Sequence, residues 1–185
     1  MKILGIDPGT ATTGWGIIDY ESSKQAKKLI EFGCILTEST DEMGYRLVVL
    51  RKNLQKIIKE HQPDCMIIEK LFFGANSTSA LSVGQARGVI MLAASENKLP
   101  IFEYTGLQVK LTVADYGRAD KGAIQKAVRK HLSVKNLPKP KDQTGKAVFR
   151  FRDDAYDAVA AALCHIFKTD LSFKMEDGRK KSLKS

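Results

Sequence analysis

Two short apolar runs, residues 3–6 and 65–68, each end in a single carboxylate, Asp7 and Glu69, and this repeated pattern constrains the fold more than any other feature of the chain. An apolar run of that length reads as a buried strand. An isolated carboxylate in an interior costs several kcal/mol, so each acid calls for a partner or a bound cation. Pro8 and Gly9 stop the first strand, and residues 13–20 return beside it as the second arm of a β-hairpin. Gly14 and Gly16, either side of Trp15, leave one face of that arm bare enough for another backbone or a ligand to approach. The competing explanation of Asp7, a buried acid capping a local turn, is weakened only by the rest of the chain.

Residues 28–37 alternate roughly and read as a third strand closing an antiparallel meander. Ser39 and Glu42 have capping-box spacing, and Leu47, Leu50, Leu54, Ile57 and Ile58 recur at helical intervals, which predicts a helix of about twenty residues. A strand reached through a helix usually lies parallel to an earlier strand. If the run before Glu69 pairs with the run before Asp7, both carboxylates leave the same end of adjacent strands, about 4.8 Å apart. That carboxyl edge is where open α/β sheets bind ligands.

Residues 79–96 read as a helix in which Ala80, Gly84 and Gly88 form a ridge of small residues, suited to the sheet or to a dimer partner. Residues 101–104 form a fifth strand, and residues 106–114 and 121–131 two short helices, the second with Asp120 at its N-cap. The last predicted element is an alanine-rich helix over residues 153–167. In it Asp154 and Asp157, three apart, share a face, and Asp153 lies close by. Acids in a first turn also complement the helix dipole, but three within five residues exceed what capping requires. The alanines let this helix lie close on the sheet and bring its first turn to the edge that bears Asp7 and Glu69.

A chain of 185 residues suits one core. We expect a single domain over residues 1–168, including a basic loop at 133–152, followed by a flexible basic tail over 169–185. No apolar run approaches the ~20 residues of a membrane span and no signal peptide is visible, so a cytoplasmic protein without a membrane partner is expected. Cys34, Cys65 and Cys164, far apart and set in apolar segments, read as reduced core residues. The net charge of +9 is concentrated between residues 121 and 152, where ten Lys or Arg face one acid, Asp142. Such a segment suggests a polyanion docking there, with a merely solvated basic loop as the ordinary alternative. Four converging carboxylates without a Cys or His cluster are hard oxygen ligands for Mg²⁺ or Mn²⁺ rather than zinc. Two such ions about 4 Å apart cleave phosphodiesters, so the pattern is that of a nuclease site. His61, His131 and His165 fit poorly as ligands and read as surface or core residues, with His131 a further candidate for phosphate contact.

Four segments carry a resemblance: GIDPGTATTGWGII, IIEKLFFGANSTSALSVGQARGVI, QVKLTVADYGRADK and DDAYDAVAAALCH. In that order, from Ile3 to about His165, they resemble the RuvC crossover junction endodeoxyribonucleases of the ribonuclease H-like superfamily. The resemblance implies an α/β fold with a mixed five-stranded sheet, its first three strands antiparallel, helices on both faces, and a homodimer. It implies that Asp7, Glu69, Asp154 and Asp157 are the catalytic, metal-binding acids, with Asp153 an extra acid beside them. It implies two Mg²⁺ ions per active site, replaceable by Mn²⁺, and no organic cofactor. Phe72 falls at the aromatic thought to stack near the branch point, and Lys110 and Lys121 at the lysines that contact DNA. The implied activity is symmetric incision of four-way junction DNA in recombination and repair, in association with a branch-migration helicase complex. The alternatives are another nuclease of the superfamily acting on different branched or hybrid substrates, or a junction-binding module without catalysis. An actin-like ATPase lobe shares the opening hairpin, but needs a second lobe and does not explain an acidic last helix.

Overall fold

The computed structural model describes residues 1–70, 77–150 and 152–182. Strands β1 (Lys2–Asp7), β2 (Thr12–Glu21) and β3 (Ala26–Leu36) form the meander. Helix α1 (Met43–His61) crosses to β4 (Cys65–Lys70), and α2 (Ser77–Glu96) crosses to β5 (Ile101–Thr105). The chain then runs through α3 (Gly106–Ala114) and α4 (Lys121–His131) to the long α5 (Arg152–Ser182). The sheet order is β3-β2-β1-β4-β5, with the β3–β2 and β2–β1 pairs antiparallel and the β1–β4 and β4–β5 pairs parallel. This is the mixed sheet that the sequence predicts.

Both faces of the sheet are covered, which is why β1 and β4 are apolar on both sides rather than alternating. Leu50, Leu54, Ile57 and Ile58 of α1 and Ala86, Ile90, Ala93 and Ala94 of α2 pack against Leu4, Ile6, Ile17, Met66 and Ile68 on one face. On the other, Val109 and Val113 of α3, Ile124 and Val128 of α4 and the alanines of α5 close over Ile3, Ile18 and Ile67. Cys34, Cys65 and Cys164 are buried within that second layer and form no disulfide. Among the described residues no helix is long and apolar enough to cross a membrane.

Three local expectations change. Helix α1 begins at Met43 with Glu42 as its N-cap and no side-chain capping bond, so the Ser39/Glu42 capping box does not form. A tight turn, closed by Asp41 N–H on the Glu38 carbonyl, puts Ser39 ahead of the helix. Helix α5 passes the predicted end at Phe167 and runs to Ser182. Thr169 Oγ1 donates back to the His165 and Ile166 carbonyls, and Tyr20 Oη donates to Asp170 at 2.5 Å, tying this stretch to β2. The segment after Lys168, expected as a flexible tail from its charge, therefore begins as helix. Finally, the basic loop docks on β3, the outer strand. Cys34 N–H donates to the Lys141 carbonyl at 2.9 Å, and the Gln143 amide bonds both backbone groups of Leu36. That contact caps part of an otherwise open sheet edge.

Candidate active site

The parallel register of β1 and β4 pairs Ile6 with Ile68, so Asp7 and Glu69, each the next residue, emerge side by side at the carboxyl edge. Helix α5 reaches the same edge because glycines clear its path. A Cβ at Gly5 would overlap the Ala158 carbonyl, one at Gly14 the Asp154 carbonyl, and one at Gly16 the Val159 side chain. Gly14 is the cross-strand partner of Asp7, so the first turn of α5 is seated directly beside the first acid. Asp154 and Asp157 then lie on that turn and the next.

A cavity of about 200 Å³ opens at this edge, lined by Asp7, Glu69, Asp157, Lys110, Gly106 and Ile124 among others. Burial, followed by the charges of Glu69, Asp157 and Asp154, pushes the Asp7 carboxyl well above the ordinary range, while Lys121 opposes the shift. Asp157 is pushed up to about 6 by burial and then by Glu69. Burial also raises Glu69 against the pull of Lys110, and Asp154 against that of Lys121. Asp7, Glu69 and Asp157 thus line one partly buried cavity with Asp154 acting on Asp7 and Asp157 from beside it, and the positive charge of Lys110 and Lys121 offsets the cluster only in part. Hard carboxylate oxygens of this number fit a divalent ion such as Mg²⁺ or Mn²⁺.

The lysines approach from α3 and α4. Lys110 lines the cavity, and Lys121 Nζ lies 3.4 Å from Asp153 Oδ2. The other Asp153 oxygen accepts a 2.6 Å hydrogen bond from Gln125 Nε2. Asp153, the extra acid, thus has both oxygens engaged by α4 and anchors Lys121 over the cluster. Phe72 lies outside the described residues.

Two contributors escape the sequence patterns. Arg87 of α2 donates to the Glu69 carbonyl at 2.8 Å and pairs with Glu103 of β5, fixing the strand end that presents Glu69. Gly106 opens α3 against the Glu69 carboxylate, where a side chain would collide and where the helix dipole favours an anion. Arg87 stands on a helix face between apolar positions, a spacing that marks burial but not its partner.

Histidines take no part in this cluster. His165 is buried, with its Nδ1 2.9 Å from Tyr104 Oη, and burial lowers its pKa. His131 Nε2 lies 2.8 Å from the Val113 carbonyl, so this ring joins α4 to α3 instead of presenting itself to phosphate. Among the described residues the three carboxylate or imidazole groups whose ligand atoms lie within 4.8 Å of one another are Glu31, Glu60 and His61, away from the sheet-edge acids, which are not drawn that closely together. His61 Nε2 is 3.2 Å from Glu31 Oε2, and Lys56 lines the same recess, so the protein supplies its own basic groups there.

The family model for crossover junction endodeoxyribonuclease RuvC matches residues 3–165. A crossover junction endodeoxyribonuclease RuvC of Caldicellulosiruptor saccharolyticus is 44% identical over 96% of this chain and 99% of its own. The solved structure of Thermus thermophilus RuvC superposes with a TM-score of 0.77 at 26% identity, covering 93% of this chain and 97% of that one. The same protein in complex with a Holliday junction substrate gives a TM-score of 0.77 at 25% identity, over 92% and 96% of the two chains.

Proposed function

Because the chain belongs to the crossover junction endodeoxyribonuclease RuvC family, we propose that it resolves four-way DNA junctions by metal-dependent phosphodiester hydrolysis at the Asp7, Glu69, Asp154 and Asp157 cluster. The observation that carries the reading is the convergence of these acids from β1, β4 and α5 at one sheet edge, where burial and neighbouring carboxylates raise Asp7 and Asp157. Divalent cations, Mg²⁺ foremost, supply charge neutralisation and promote in-line attack by water when bound. The protein's own groups do the rest. Lys110 and Lys121 hold the scissile phosphate, and Asp153 with Gln125 keeps Lys121 in place. Water adds to phosphorus as the P–O3′ bond breaks, and the departing O3′ takes up a proton. The nick that results, a 5′-phosphate beside a 3′-hydroxyl, can be ligated.

A junction presents two equivalent strands, and a twofold dimer presents two equivalent sites. The ridge of α2 supports a homodimer: Gly84 and Gly88 have open space where a Cβ would stand, and Leu81 is 68% exposed beside them. Three buried cysteines that form no disulfide suit the reducing cytoplasm. The test is cleavage of synthetic four-way, three-way, flap and RNA–DNA hybrid substrates with and without Mg²⁺. Paired symmetric nicks in the four-way junction are expected, and preferential cutting of the flap or hybrid would overturn the reading.

A further inference from the structure

The basic loop between α4 and α5 is not part of the acid cavity, yet it is built. Lys141 and Gln143 lie along β3, and residues 146–148 fold back on residues 140–142, with Asp142 N–H donating to the Lys146 carbonyl and Val148 N–H to the Pro140 carbonyl. Asp142, the one acid of the segment, is committed to its own turn, accepting from Thr144 N–H, Thr144 Oγ1 and Lys146 N–H. Among the described residues no ion pair links Lys139, Lys141 or Arg150 to an acid. The fold-back leaves Phe149 68% exposed, with Lys139 Nζ 4.3 Å from its ring centroid. An exposed aromatic bracketed by cations on a docked loop is a nucleic-acid contact surface in chemical terms, since cations meet phosphates while the ring packs on a sugar or base. Lys27, Lys28, Lys139 and Lys141 also rim a cavity of about 500 Å³ between β3 and this loop, so the positive surface continues onto the sheet edge.

Resting on the junction-resolving reading, we propose that Phe149, Lys139, Lys141 and Arg150 form a second DNA-contact surface, separate from Lys110 and Lys121, that grips the duplex arm flanking the cut. Five residues of chain separate Phe149 from Asp154, a span of at most about 18 Å. At 3.4 Å per base pair the contact falls within about five pairs of the scissile phosphate.

Anisotropy titrations of a four-way junction in EDTA, over a range of salt, test this with the full-length protein. Replacing Lys139 and Lys141 together by Gln should reduce the slope of log K against log salt by about 1.8, the value for two lost phosphate contacts. Phe149→Ala should weaken binding about fivefold to tenfold at fixed salt with the slope unchanged, and Phe149→Trp should restore it. All these side chains are exposed, and Lys141 meets β3 through its backbone, so folding is not at stake. Wild-type protein that cuts the junction while the variants bind with unaltered affinity and slope would overturn this inference alone. Wild-type protein that neither binds nor cuts a junction would overturn it together with the proposed function.

Discussion

Asp7 carries a charge that its surroundings oppose: burial and three neighbouring carboxylates all favour its neutral form. A residue so placed trades stability for function, so Asp7→Asn should raise the melting temperature of the cation-free protein by several degrees while leaving junction binding in place. A melting temperature that falls would show that the acid is stabilising and not frustrated. Asp157 makes the same point through pH. With its carboxyl pushed up to about 6 in the folded protein, from an ordinary value near 3.8, the native state holds a proton that the unfolded chain has already released. Cation-free stability is therefore lost as pH rises through that window, by at most about 3 kcal/mol for this group, and the loss is absent below it. Chemical denaturation of wild type and Asp157→Asn should show the variant gaining on wild type between pH 4.5 and 7, with Mg²⁺ closing the gap. A stability difference that stays constant across those pH values would contradict the assigned shift.

At the scale of elements, the site depends on how closely α5 can lie on β1 and β2. Gly14→Ala would push the Asp154 carbonyl away from β2 and misplace the first turn of α5. A displacement of about 1 Å can cost about a hundredfold in rate, so single-turnover cleavage should fall by that order while circular dichroism still reports a folded protein. Cleavage at the wild-type rate would mean that the helix does not set the acids. Much of this arrangement was legible in the sequence, because it lies in local signals. Apolar runs that stop at an acid place Asp7 and Glu69, the crossover rule makes β1 and β4 parallel, and the glycines beside Trp15 foretell a close approach. What escaped were interactions between distant segments. The Ser39/Glu42 spacing satisfies a capping box on paper, but the turn before α1 uses those residues otherwise. The run of α5 past Phe167 is tied down by Tyr20 reaching Asp170 from β2, and the support of Glu69 depends on Arg87 reaching across from α2. His131 sits in a basic run and so suggests phosphate, yet it turns inward to the Val113 carbonyl, which no local pattern encodes.

For the whole molecule, symmetry is the governing consideration. The open ridge at Gly84 and Gly88, with Leu81 exposed beside it, is the surface on which a second copy would pack. If the proposed homodimer forms there, wild type should sediment as a dimer and Leu81→Glu as a monomer with uncoupled nicks, whereas a monomeric wild type or an unchanged sedimentation coefficient in the variant would contradict this interface. Charge is distributed to match: acids gather at the carboxyl edge of the sheet with Lys110 of α3 and Lys121 of α4 beside them, and a separate set of cations lies on the loop docked on β3. The most direct measurement of the central claim is single-turnover cleavage of a pre-bound four-way junction, started with Mg²⁺, by wild type and by Asp7→Asn. Symmetric nicking by wild type and none by the variant, at equal occupancy of the DNA, is the predicted result. Mg²⁺-dependent nicking by Asp7→Asn at the wild-type rate would contradict it.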